Sequence, residues 1–194
     1  MPRIAALLQE VRFYIRLQQI DDHLAGEARA AGCPCGGRLH SARYPRKPRG
    51  GPGEIGAACA SRHSFCWTRE GCRRRVTSPS VRFFGRRVYF APVFLVTGGL
   101  REALSLLQWK RLREQVGVSL RTLRRCAAWW QGDFPSRRFW KAAQGRLAPP
   151  APTTSTLPGS LLARFAGDEE ERLVGALRFL APVTTKTETA NWLF

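Results

Sequence analysis

Residues 32–77 are too poor in large apolar side chains to build a core of their own, so anything they fold into needs a staple. Cysteine, glycine, proline and arginine dominate this stretch, and neither a helical nor a strand period persists through it. The staple is visible as two cysteine pairs: Cys33-Pro-Cys35-Gly-Gly, and Cys66-Trp-Thr-Arg-Glu-Gly-Cys72. Tetrahedral zinc takes four ligands from two short turns, and each pair lies beside a glycine that lets the backbone turn toward an ion. The pattern predicts one bound zinc, held by Cys33, Cys35, Cys66 and Cys72. Six cysteines could also form disulfides in a secreted chain, but no export signal is evident, which favours thiols and metal ligands. Glu70 falls inside the second pair. Its surroundings are basic and lack the His-x-Glu pattern of zinc deaminases, so a closed structural site is expected rather than a catalytic one.

The charge balance points to partners. There are 32 Lys+Arg against 14 Asp+Glu, a formal net charge of +18, and the excess is almost entirely arginine. That favours a polyanion, nucleic acid before anionic membrane. Arginine's planar fork suits phosphate oxygens and guanine edges. The segment Tyr44-Pro-Arg-Lys-Pro-Arg-Gly-Gly-Pro-Gly is either a solvated linker or a phosphate-contacting loop using Arg46, Lys47 and Arg49. Arg73 and Arg74 extend the basic surface beyond the second cysteine pair. The longest apolar run, Val88 to Val96, is far shorter than the roughly 20 residues a bilayer demands. The N-terminus has no signal-peptide pattern, and a cytoplasmic protein is expected.

Elsewhere the helical period dominates. Ile4, Leu7, Leu8, Val11, Ile15, Leu17 and Ile20 predict one amphipathic helix over 4–30, or two broken near Asp21, that packs on the rest or serves a partner. Residues 82–95 read as a strand or a strand-to-helix transition, with Phe83, Phe84, Tyr89, Phe90 and Phe94 among arginines. Helical signals run from Leu100 to Trp130, and again over 136–147 with Phe139 and Trp140 as anchors. Residues 148–158 are Pro/Thr/Ser-rich. A last helical region spans 160–180, broken at Gly167, with Asp168 as the N-cap of an acidic first turn. These boundaries divide the chain into 1–31, a ribbon region 32–99, a helical domain 100–147, a linker 148–159 and a helical tail 160–194.

Within the helical domain, residues 108–130 read QWKRLREQVGVSLRTLRRCAAWW. Gly117 supplies a turn, and Leu112, Val116, Val118, Leu123 and Cys126 occupy the positions where two short helices cross, as in a helix-turn-helix. Ser119 is placed to cap the second helix. Arg121, Thr122, Arg124 and Arg125 then face outward, as groove reading and phosphate clamping require. Trp129 and Trp130 are expected to pack the hairpin on its neighbours.

Cys33, Pro34, Gly36, Phe65, Cys66, Gly71, Cys72, Arg73 and Arg74, followed by the Gly-Val-Ser-x-Arg-Thr-Leu segment, resemble the zinc-ribbon and helix-turn-helix DNA-binding regions of bacterial insertion-sequence transposases. The sequence departs from that pattern in two places. One residue rather than two separates Cys33 from Cys35, which cramps the knuckle and leaves His40, Cys59 or His63 open as a replacement ligand. Arg113 stands where the family usually has a small residue. The resemblance implies a DNA-targeting protein of a mobile element, bacterial and nucleoid-associated, with duplex DNA and a recombinase or transposase as partners. Its catalytic half has no counterpart here. Three carboxylates on a nuclease core are not to be had from Asp133, the Asp168–Glu171 cluster and Glu188, and no phosphate-binding glycine loop or Ser/His/Asp set is present. The chain is therefore expected to be a non-enzymatic α+β protein, mostly α: an N-terminal helix, a small zinc ribbon, a helix-turn-helix core and a C-terminal helical tail. An RNA-binding or ribonucleoprotein component is the alternative, and a small metal-dependent nuclease a weaker one.

Overall fold

The computed structural model describes residues 2–33, 35–67, 72, 76–85, 87–99, 106–147 and 157–185. Of the features singled out above, Pro34, Glu70, Gly71, Arg73, Arg74, the linker over 148–156 and Glu188 lie outside the described residues, as do the side chains of Phe65, Cys66 and Leu112. The fold is α+β and mostly α. Helices α1 (Pro2–Leu7) and α2 (Val11–Ala30) precede an antiparallel pair, β1 (Leu39–Pro45) and β2 (Ser61–Trp67). The helices α3 (Ala91–Gly99), α4 (Leu106–Val116), α5 (Leu120–Ala128), α6 (Phe134–Ser136), α7 (Arg138–Ala143), α8 (Gly159–Leu162) and α9 (Glu169–Leu180) follow.

The N-terminal helix breaks at residues 8–10, not near Asp21. Phe13, Tyr14, Leu17, Ile20, Ala25 and Ala28 form the inward stripe of α2, and Asp21 lies on that stripe. Phe13 and Tyr14 set the rotation of the helix. Val11 and Ile15, expected to face the core, are turned out instead, 39% and 47% exposed. Asp21 is 2% exposed. Its carboxylate accepts from Ser80 Oγ (2.6 Å), the Val81 amide (2.6 Å) and Arg82 Nε (2.8 Å). Burial pushes this carboxyl above its ordinary range, and the Arg82 charge with those hydrogen bonds works against the push.

The segment read as a strand or a transition is the latter. Phe83 and Phe90 make an isolated antiparallel bridge, and α3 starts at Ala91. Helix α5 runs through one π turn, Trp129–Asp133, into α6. The region 136–147 is not one helix: Arg137 is extended, and α7 restarts beyond it before a last 3-10 turn. The aromatic side chains meet in one cluster. Trp129 and Trp130 pack edge to face with ring centroids 4.8 Å apart, and each contacts Phe94 and Phe134. Phe139 and Trp140 are buried anchors, as expected.

The C-terminal helices are part of this core. Leu161, Leu173, Leu177 and Leu180 belong to the same buried cluster as Leu8, Leu17, Phe94 and Trp130. Asp168 caps α9 with a full capping box: its side chain accepts from the Glu171 amide, while the Glu171 carboxylate accepts from the Asp168 amide. A second, small cluster of Ala25, Ala28, Cys33 and Leu39 lies at the end of α2, with Cys72 and Val76 against it.

Candidate metal centre and nucleic-acid face

The cysteine site forms where the end of α2 meets the start of the β1–β2 hairpin. A tight turn follows Cys33: the Gly36 amide donates to the Cys33 carbonyl at 2.8 Å, and the Cys33 amide donates to the Gly37 carbonyl. Gly36 has φ of 78°, a conformation that a side chain would strain. This one-residue spacing still brings both sulfurs to one side. Cys33, Cys35 and Cys72 offer ligand atoms that all lie within 4.8 Å of one another. Cys33 Sγ stands 3.6 Å from Cys72 Sγ. Two thiolates on one tetrahedral zinc, each at about 2.3 Å, are separated by roughly 3.8 Å, whereas a disulfide needs about 2.05 Å. The sulfurs are thus spaced for a metal ion and not for a covalent bond.

The thiols polarise one another. The Cys35 amide acts to lower the Cys33 thiol, but hydrogen bonding with the Cys35 and Cys72 thiols and desolvation raise it above the ordinary value. For Cys35, desolvation acts upward and is outweighed by hydrogen bonds from Cys33, Gly37 and Cys72, so that thiol lies below the ordinary value. Hydrogen bonds that favour ionisation of one sulfur beside two others suit the uptake of a soft cation, which binds the ionised form.

The three alternative ligands are placed elsewhere. Cys59 is buried and its Sγ donates to Gln18 Oε1 at 2.9 Å. His63 Nε2 lies 2.6 Å from Asp22 Oδ1, an acid that also meets Arg43. His40 is exposed on β1, in register with Cys66 on β2. None of the three belongs to the described cysteine group. Cys126 is 4% exposed and lies in the main core, as its apolar-side position predicts.

The basic loop divides by function. Arg46, expected to face phosphate, is half-buried; its guanidinium donates to the carbonyls of Gly85 (3.2 Å) and Arg87 (3.0 Å) and lies over the Phe83 ring. Lys47 and Arg49 are exposed, with the Arg49 backbone bridged to Tyr89. Two further arginines that sequence reasoning passed over are buried outright. Arg82 donates to the carbonyls of Ala58, Cys59 and Ser61 as well as to Asp21. Arg62 donates to the carbonyls of Gly85, Ser78 and Thr184, and its Nε meets no acceptor among the described residues. Irregular backbone leaves many carbonyls without ladder partners, and arginine forks satisfy several at once. The one available signal was Asp21, an acid at an inward helical position in a chain where acids are scarce.

In the α4–α5 segment, Gly117 turns the chain with φ of 61°. Ser119 caps α5, its Oγ accepting from the Thr122 amide at 3.3 Å. Val116, Val118, Leu123 and Cys126 are buried. Arg121, Arg124 and Arg125 are exposed. Thr122 departs from the expected outward position: it is half-buried, and its hydroxyl lies 3.1 Å from that of Ser119. Helical spacing accounts for this, since Thr122 shares a stripe with Arg125, Cys126 and Trp129, while Arg121 and Arg124 share another.

No helix among the described residues is long and apolar enough to cross a membrane. No family model matches this sequence, and no curated protein and no solved structure matches it.

Proposed function

We propose that this chain is a non-catalytic DNA-binding protein of a bacterial mobile genetic element, an accessory or regulator of transposition, that uses α4, the Gly117 turn and α5 as a helix-turn-helix. Zinc on Cys33, Cys35 and Cys72, with Cys66 as the fourth ligand, fastens the hairpin to the end of α2. Duplex DNA is the principal partner and a recombinase or transposase the protein partner, in the cytoplasm at the nucleoid. The observation that carries this reading is the Ser119-capped α5, which buries Leu123 and Cys126 and holds Arg121 and Arg124 out to solvent at its N-terminal end. A helix entering the major groove contacts base edges with such N-terminal residues. The sulfur spacing supports the zinc, because soft thiolates at that separation match its radius and geometry.

The test is a salt titration of Arg121→Ala and Arg124→Ala on a selected duplex site and on random duplex. A base-reading arginine should cost about 1–3 kcal/mol on the selected site and relax preference at one base pair. A phosphate-gripping one should weaken both duplexes alike and lower the salt slope by about one unit. If both variants leave affinity and preference untouched, α5 does not lie in a groove. Tighter binding of single-stranded RNA than of duplex at equal salt would move the assignment to RNA.

A further inference from the structure

The basic loop that follows β1 is pinned at both ends. At its start the Arg46 amide donates to the Ala60 carbonyl at 2.8 Å, while the Arg46 guanidinium is taken up by Gly85 and Arg87. At its end the Arg49 amide donates to the Val88 carbonyl (2.9 Å), and the Arg49 carbonyl accepts from the Phe90 amide (3.1 Å). Two glycines then lay the chain flat on the helices. A Cβ at Gly50, where φ is 86°, would stand 2.9 Å from Val93 Cγ1 and 3.4 Å from the Val116 carbonyl oxygen. One at Gly51 would stand 2.6 Å from the Phe90 ring, itself packed between Tyr14 and Phe83. Only glycine allows a backbone to come so near. Lys47 and Arg49 are thus exposed on a loop whose path is fixed.

That path runs beside the Gly117 turn. Val116, against which Gly50 lies, is the last residue of α4. A cleft of about 690 Å³ is lined by Arg49 from the loop and by Thr122 and Arg125 from α5. Helical spacing splits the outer residues of α5 into two stripes. Thr122 and Arg125 form the stripe that lines the cleft, whereas Arg121 and Arg124 form the other and do not line it. Duplex recognition needs the same division: contacts to base edges specify, and contacts to the sugar-phosphate backbone position. A helix in the major groove has a phosphate backbone on either side, and a loop near it is well placed to hold one of them. A loop already fixed loses little conformational freedom on binding. Arginine forks match phosphate oxygens.

We propose that the 47–49 loop and the Thr122–Arg125 stripe of α5 form one surface that grips a single phosphate backbone of duplex DNA. Arg49 and Arg125 hold phosphate oxygens across the cleft, and Lys47 adds a contact along the same strand. Arg46, turned inward, takes no part. The assignment rests on the helix-turn-helix reading and gives that helix its positioning partner. The experiment measures affinity of the full chain for a selected and a random duplex over a range of salt concentrations. Arg49→Ala and Arg125→Ala should each weaken both duplexes alike, about fivefold at physiological salt, and lower the salt slope by about one unit. The double variant should lower it by about two. Arg172→Ala removes an equal charge from α9 and should leave the slope as in wild type. Gly51→Ala keeps every charge but pushes the loop off Phe90, so at unchanged far-UV circular dichroism it should weaken both duplexes about as much as Arg49→Ala. The proposal is overturned if Arg49→Ala and Lys47→Ala both bind like Arg172→Ala, or if Gly51→Ala binds as wild type. Should Arg121→Ala and Arg124→Ala still lose sequence preference in that case, the helix-turn-helix reading survives and the loop is a solvated connection. Should all of these variants bind both duplexes as wild type, the reading fails and takes this surface with it.

Discussion

Around α3, α5 and α9 the molecule is held by stacked rings and aliphatic side chains; around the hairpin it is held by sulfur and arginine. Trp129, Trp130, Phe94 and Phe134 form one continuous cluster, and Leu173, Leu177 and Leu180 close it from the C-terminal side. Among the described residues the apolar cluster beside the hairpin is Ala25, Ala28, Cys33 and Leu39 with Cys72 and Val76 against it, and a two-stranded hairpin is marginal in water without further support. Its loops are tied instead by the forks of Arg46, Arg62 and Arg82 on backbone carbonyls, and by Asp21 reaching across from α2. The lesson concerns net charge. A strongly basic composition reads as an appetite for polyanions, but part of this excess is internal carpentry for a region that has little regular secondary structure to satisfy its backbone.

Metal removal is the strongest way to separate the two regions. Structural zinc contributes about 10–16 kcal/mol of apparent binding free energy in small zinc domains, and the segments it would hold here, 32–39 and residue 72, have only the small cluster of Ala25, Ala28, Cys33 and Leu39 beside them among the described residues. Chelation, or Cys72→Ser, should therefore release residues 32–39 and 72–76 to rapid amide exchange. Far-UV helicity and tryptophan emission from the aromatic cluster should stay close to those of the loaded protein. Cys66→Ser should match Cys72→Ser if strand β2 supplies the fourth ligand. Collapse of the tryptophan signal along with the hairpin would show one cooperative unit rather than two.

Asp21→Ala acts on the seam. It leaves Arg82, 1% exposed, as a buried charge without its carboxylate, a change that typically costs about 3–5 kcal/mol. Urea unfolding should show a loss of that size, with both regions weakened, because Ser80, Val81 and Arg82 lie between them in the chain and Arg82 also holds the loop at 58–61. A loss below about 1 kcal/mol would mean that water replaces the carboxylate and that the seam is wet.

What the sequence made legible follows from where local rules operate. Ser119 and Asp168 were readable as caps, Gly117 as a turn, and Trp129, Trp130 and Cys126 as core, because each depends on neighbours within about one helical turn. The cysteine group was readable because ligand chemistry is specific, and Cys33, Cys35 and Cys72 do come together. The rotation of α2 was not, since Val11 and Ile15 fit the helical period as well as Phe13 and Tyr14 do, and tertiary packing made the choice. The structural arginines were opaque for a related reason. Nothing within a few residues of Arg62 tells that its partner is the Thr184 carbonyl, 122 positions away. Arg87 likewise looks like any arginine in a basic run until the rings of Phe94 and Trp129 are placed against it.

The smallest of these changes is the sharpest on the helical side. Ser119 Oγ takes the Thr122 amide, one of the donors that the first turn of α5 leaves unpaired. Ser119→Ala should lower global stability by about 1 kcal/mol, an ordinary cap loss. Metal content should not change, because the cap has no contact with the cysteine group. The change should still reach function, since Arg121 and Arg124 sit in the first two turns of α5, and fraying there loosens the geometry of both guanidiniums. The expected result is a weakened preference for a selected duplex over random sequence, at an unchanged salt slope, because the arginines remain present and charged. Ser119→Thr, which retains the hydroxyl, should restore most of both losses. If Ser119→Ala instead costs as much as Asp21→Ala, the cap is not a local feature, and the turn at Gly117 bears on the whole aromatic core.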